Sequence, residues 1–192
     1  HERKAENKLY IIESKEDIYS HSAQIKSVPE NTFKYARTTV VNINRNDDTI
    51  TVRLPMMNKQ IPLFVLFRLL DIESDKDILR YILYDINSEK SKLFLEHLRP
   101  SIESNGDIYD KISAMKYLMN LNLGGTFSHL VNIISTDLFP HVGDSYKHKA
   151  YYLGYVVHKL LEVKLGIKKQ TDRDSFMFKR VDLSGFLLAN LF

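Results

Sequence analysis

The sequence predicts an α+β fold, with a small antiparallel sheet followed by a helical bundle. Two observations carry this. Up to Leu54, apolar residues alternate with a period of two, as half-buried strands require. After Pro55 the spacing lengthens to the helical period and capping residues begin to recur. The sheet is expected over about 8–54 and the helices over about 62–165.

Lys8 to Ile12 is a short apolar run of strand character. In Tyr19 to Val28, Tyr19, His21, Ala23 and Ile25 fall on one face and Ser20, Ser22, Gln24 and Lys26 on the other. That is the pattern of an antiparallel strand with one wet face, and Pro29 ends it. Arg37 to Ile43 and Thr49 to Leu54 form a hairpin, with the turn at 44–48.

Pro62 suits a first helical turn, so Leu63 to Leu70 is read as a helix. Ser74 with Asp77 resembles a capping box and opens a helix to about Tyr84. Lys90 to Leu98 is the next, with Pro100 as its stop. Asp107 is the expected cap of a helix to about Asn120, and Gly124-Gly125 breaks the chain. Ser128 to Leu138 follows. The longest helix is expected over about Ser145 to Leu165, with Ala150, Leu153, Val157, Leu160 and Leu161 on one stripe and Gly166 as its stop.

A chain of 192 residues can bury one sizeable core or two small ones. With no cysteine there are no disulfides or thiolate metal sites in these residues. A net charge of +3 gives no strong polyelectrolyte signature, so any nucleic-acid contact must rest on a local patch. No apolar run approaches a membrane span, and nothing resembles a signal peptide. The chain opens at His1 without Met and stops within an apolar run at Phe192. We read it as a segment of a longer polypeptide.

Seven histidines occur, but His141, His148 and His158 match no helical ligand pair, so no metal site is expected. Neither a G-x-S-x-G elbow nor a P-loop is present. Tyr151, Tyr152 and Tyr155 on the long helix are read as packing rather than stacking platforms. Lys147, His148 and Lys149 open that helix, where cations oppose the macrodipole. They suggest a partner or plain solvation.

Charge is densest in Thr171 to Phe192, where Asp172, Arg173, Asp174, Lys179 and Arg180 precede a helix that Asp182 or Ser184 can cap. A solvated ion-paired turn and a phosphate or nucleic-acid contact both fit it. The pattern D-R-D-x-x-x-x-K-R-x-D-L-x-G-x-L-L resembles the second-largest subunit of multisubunit DNA-directed RNA polymerases, where the lobe domain returns to the fork region. Three further stretches agree in order. They are His1-Glu2-Arg3 with Asn7; Ile61-Pro62 with Phe67-Arg68 and Ser74 to Ile78; and Phe139 to Gly143 with Lys149 to Tyr155.

The resemblance implies a lobe over 1–170 and a return into the fork over 171–192. It implies a part of a nucleotidyltransferase that is inactive alone, with no catalytic residue and no cofactor in this segment. The Mg²⁺ of the whole enzyme would be held by the largest subunit, and the subunit's zinc by a cysteine cluster absent here. Arg173, Asp174, Lys179 and Arg180 become the expected nucleic-acid contacts. In bacterial relatives the positions matching Asp174 and Lys179 belong to a pocket for an unpaired non-template guanine. Met177-Phe178 replaces the usual Gly-Asn, so the turn is expected to differ.

Expected partners are the other polymerase subunits, especially the largest, and downstream DNA, with no membrane. The alternative function is a docking module for an initiation factor, using the hairpin at Thr39 to Leu54 or the helix at Lys90 to Leu98. Richness in Ile, Asn and Lys suggests a large cytoplasmic DNA virus, hence host cytoplasm and virion, with the nucleus as the alternative.

Overall fold

The computed structural model describes residues 2–14, 16–29, 35–57, 59–121, 126–172, 175–181 and 183–189, with the backbone alone at 2–4, 180, 186 and 187. The fold is α+β. Strands β2 (Leu9–Glu13), β3 (Tyr19–Ser27), β4 (Arg37–Asn44), β5 (Ile50–Arg53) and β6 (Gln60–Pro62) form one antiparallel sheet in chain order. A separate two-stranded ribbon joins β1 (Glu2–Lys4) to β7 (Lys179–Val181).

Period two decides the inner face of the sheet. Ala23 and Ile25 of β3 are buried with Val41 and Ile43 of β4 and Ile50 and Val52 of β5. Asn44 closes the β4–β5 hairpin, its N–H donating to the Thr49 carbonyl at 2.9 Å. Sequence reading ended the sheet at Leu54 and missed β6. That strand has three residues and runs straight into a helix, so it has no alternation to read.

Helix α1 (Leu63–Leu69) is buried along its whole length, and α6 (Tyr146–Lys164) lies against β2 and β3. The stripe Ala150, Leu153, Val157, Leu160 and Leu161 is fully inside. Gly166 after α6 has φ +69°, the left-handed stop expected there. Around these pack α2 (Asp75–Leu83), α3 (Glu89–Glu103), α4 (Lys111–Leu121) and α5 (Phe127–Asn132), which continues as a π-helical turn over Ile133–Asp137. A short helix α7 (Ser184–Ala189) ends the described chain.

Three expectations about helix ends need correction. Ser74 sits at the N-cap of α2 but makes no side-chain cap; its carbonyl accepts from Asp77 and Ile78 instead. Pro100 does not stop α3, which runs on to Glu103. The lost N–H bond is offset because the next residue, buried Ser101, accepts the β5 N–H of Ile50 at 2.8 Å. Asp110, not Asp107, caps α4, its carboxylate accepting the Ser113 N–H at 3.2 Å. The Gly124-Gly125 break and an Asp182 cap lie outside the described residues.

Motif residues shared with the resembling family hold the fold together. Arg68, buried in α1, donates to Asp75 at 2.7 Å and lies 5.6 Å from the Tyr109 ring. Phe139 takes the left-handed conformation at φ 47°, which places its ring 4.9 Å from Tyr152, edge to face. His141 Nδ1 and the Ser27 hydroxyl are 2.6 Å apart, joining β3 to the segment before α6. Among the described residues no helix is long and apolar enough to cross a membrane.

Candidate nucleic-acid interface

After α6 the chain returns along the free edge of β2. Thr171 N–H donates to the Ile11 carbonyl at 2.8 Å, and the Thr171 hydroxyl accepts from Ile11 N–H at 3.2 Å. Gln170 accepts from Glu13 N–H. An edge strand that would expose a row of unpaired groups is thereby covered by its own chain.

A 3₁₀ turn at Phe176–Phe178 then leads into β7. The Phe178 carbonyl accepts from Ala5 N–H at 2.9 Å and from the Tyr10 hydroxyl at 2.8 Å, and its ring lies 5.4 Å from the Tyr10 ring. Phe176 and Met177 point outward and are exposed. Neither Met177 nor Phe178 has positive φ, so a turn without glycine is built here from ordinary backbone.

The β1–β7 register sets Glu2 opposite Val181, Arg3 opposite Arg180 and Lys4 opposite Lys179. The register therefore sets two pairs of cationic residues at opposed backbone positions of one short ribbon. Of the expected contact residues, the structure brings Lys179 and the Arg180 backbone into this ribbon, while Arg173 and Asp174 lie outside the described residues. Sequence reading missed Arg3 and Lys4 as members of the site. They are joined to it by a pairing across nearly the whole chain, which no local pattern encodes.

The other candidates are structural. His141 and His158 are both held below the ordinary histidine pKa, by burial above all. His158 Nδ1 bonds the Ile82 carbonyl at 2.8 Å. Among the described residues no group of three or more His, Asp or Glu side chains is arranged to hold a metal ion. Tyr151 packs on Tyr81 with ring centroids 4.4 Å apart, and Tyr152 on Phe139 and His141.

Lys149 contradicts its expected exposure. It is fully buried, and its ammonium donates to the carbonyls of Ile134 and Ser135 in the π-helical turn. Burial lowers its pKa to about 8, although Asp144 and Asp137 pull the other way. The Thr39 to Leu54 hairpin, expected as a docking face, sits inside the sheet with its apolar residues in the core.

The chain matches the sequence model of RNA polymerase Rpb2, domain 2, over residues 10–182. It is 35% identical over its whole length to the DNA-directed RNA polymerase II subunit RPB2 of Encephalitozoon cuniculi. It is 31% identical, again over its whole length, to subunit 2 of the Arabidopsis thaliana enzyme. The archaeal subunit Rpo2 of Saccharolobus solfataricus is 32% identical over 79% of the chain. The chain spans 17% of the first two relatives and 14% of the third. On a match from Tyr10 to Asp182, the chain belongs to the RNA polymerase Rpb2 domain 2 family.

Proposed function

We propose that this chain is the lobe beside the DNA cleft of a second-largest RNA polymerase subunit, and that its β1–β7 ribbon guides downstream DNA. The observation that supports the reading is the register placing Arg3 opposite Arg180 and Lys4 opposite Lys179. Phosphate contacts from cationic residues gathered on one element position a duplex without reading its sequence.

In this reading the whole subunit works in nucleotidyl transfer with the other polymerase subunits. The catalytic Mg²⁺ belongs to the largest subunit, and this segment alone adds no nucleotide. Arg173 and Asp174 precede the ribbon in sequence, and the proposed contact includes them, Arg173 towards phosphate and Asp174 as an acceptor towards a base edge. An initiation factor on the outer surface, at the exposed side of α3 around Leu93, is a further partner, since the apolar residues of the hairpin lie in the core. Relatives named for RNA polymerase II of cellular organisms favour the nucleus over a viral, cytoplasmic setting.

The test uses the assembled polymerase. Lys4→Ala, Lys179→Ala and Arg180→Ala should each lower the salt slope of downstream duplex retention by about 0.9. Single-nucleotide addition should be unchanged. Salt slopes equal to wild type in all three variants would overturn the reading.

A further inference from the structure

We propose that the cleft between β2 and the C-terminal half of α6 binds single-stranded nucleic acid, with bases against Tyr155 and Phe178 and phosphates on Lys8, Lys168 and Lys169. This extends the nucleic-acid reading of the ribbon and rests on it. The cleft has a volume of about 510 Å³. That lies within the range of sites that enclose small ligands, and suits a nucleotide unit.

The cleft is contiguous with the ribbon at both strands. Asn7 and Lys8 line it just after β1, and Phe178 lines it just before β7. From α6 come Tyr152, Tyr155, Lys159 and Val163, which the helical period sets on one face. From the returning segment come Lys168, Lys169 and Thr171.

Its lining carries four lysines and no carboxylate. Glu162 lies behind it, almost buried, and neutralises only part of this charge. It pairs with Lys159 at 2.9 Å and Lys168 at 3.1 Å, and also with Lys90. Lys8 and Lys169 are exposed, with no carboxylate in ion-pair range among the described residues.

Aromatic faces separate this cleft from a merely cationic surface. Tyr155 is 40% exposed, and the Lys159 ammonium lies 5.6 Å from its ring centroid. The Tyr152 ring is 6.0 Å away, and Phe178 closes the other side. Aromatic faces beside cations are what sequence-tolerant single-strand sites use, because every base has a π-face. An acidic peptide would satisfy the lysines and leave the rings without a matching group.

The test is photo-crosslinking of the assembled polymerase to an oligothymidylate carrying 5-iododeoxyuridine, with adducts mapped by mass spectrometry. Adducts should fall on Tyr155 or Phe178. Lys8→Glu with Lys169→Glu should abolish them, and both positions are exposed enough to leave the fold intact. Tyr155→Ala should weaken them by about five- to a hundredfold. An abasic oligonucleotide of equal length should compete poorly, as should polyglutamate.

Adducts confined to other segments would overturn the proposal. So would equal competition by the abasic strand, which would mean that the cleft reads charge alone, or by polyglutamate, which would mean a peptide site. The ribbon's duplex salt slopes are measured separately. Unchanged slopes with intact cleft adducts would sink the ribbon and spare the cleft, and the reverse result would do the opposite.

Discussion

The hydroxyl of Tyr10 donates to the carbonyl of Phe178 at 2.8 Å, tying the first strand of the main sheet to the turn that sets up Lys179. The two rings also touch, and Ala5 N–H meets the same carbonyl. The return of the chain is therefore anchored to β2 just before the ribbon begins.

Tyr10→Phe keeps the ring contact and removes the hydroxyl that donates to the Phe178 carbonyl and, at 3.4 Å, to the Ala5 carbonyl. It should cost about 1 kcal/mol in chemical denaturation. Protection of the Ala5 amide against hydrogen exchange should fall more than protection in β4. Equal loss at both places would show that Tyr10 supports the whole core rather than the turn.

Glu162 collects Lys90, Lys159 and Lys168 around one nearly buried carboxylate. Burial would raise its pKa, but the three lysine hydrogen bonds outweigh this and hold it at about 2, below its ordinary 4.5. The folded state thus binds this proton less readily than the unfolded one. The stabilisation is complete above pH 4.5 and is lost as pH falls towards 2. Glu162→Gln should destabilise the chain by about 2 kcal/mol at pH 7, a figure discounted because Lys90 and Lys168 keep contact with water. The variant's stability should also fall less steeply between pH 4.5 and 2. Parallel acid curves for variant and wild type would count against the cluster.

Much of this architecture was legible because its signals are local. The β4–β5 hairpin and the apolar stripe of α6 each follow one period through consecutive residues. Pro100 and Lys149 were misread because their neighbours come from elsewhere in the chain: β5 supports the helix past the proline, and the π-helical turn supplies carbonyls to the lysine. The candidate site divides the same way. Lys179 and Arg180 stand out in a charged stretch, whereas Lys4, Arg3 and the cleft lysine Lys8 join them only through pairing with the opposite end of the sequence. The local hints of the cleft were the Lys168-Lys169 doublet and Tyr155, which was read as packing.

Gly154 shows why a small residue stands in the middle of a long helix. A Cβ there would lie 2.3 Å from the Tyr81 carbonyl oxygen, so α2 and α6 meet backbone to backbone at this point. Alanine normally gains about 1 kcal/mol over glycine within a helix. Here the clash should win, and Gly154→Ala should destabilise by about 2 kcal/mol net as α2 is pushed away. Thermal unfolding checks this; a raised midpoint would mean that the two helices separate freely.

Lys149 makes the alkaline limb of the stability curve informative. Its pKa falls from 10.5 to about 8 on folding, chiefly through burial. Between those values the unfolded chain holds a proton that the folded chain has released, so this group makes stability rise with pH. Integrated over the window, the gain is at most about 3 kcal/mol. Burial raises the pKa of Tyr152 and drives the curve the opposite way, so the lysine must be isolated by difference. Lys149→Met fills the same space but leaves the Ile134 and Ser135 carbonyls without their donor. At pH 7 relief of the buried charge offsets much of that loss, and the variant should be less stable by only about 1 kcal/mol. From pH 8 to 10.5 the wild type should pull further ahead as its lysine becomes neutral. Denaturant midpoints measured across this range for both proteins decide the matter, and a gap that stays constant with pH would mean that Lys149 keeps its charge in the folded state.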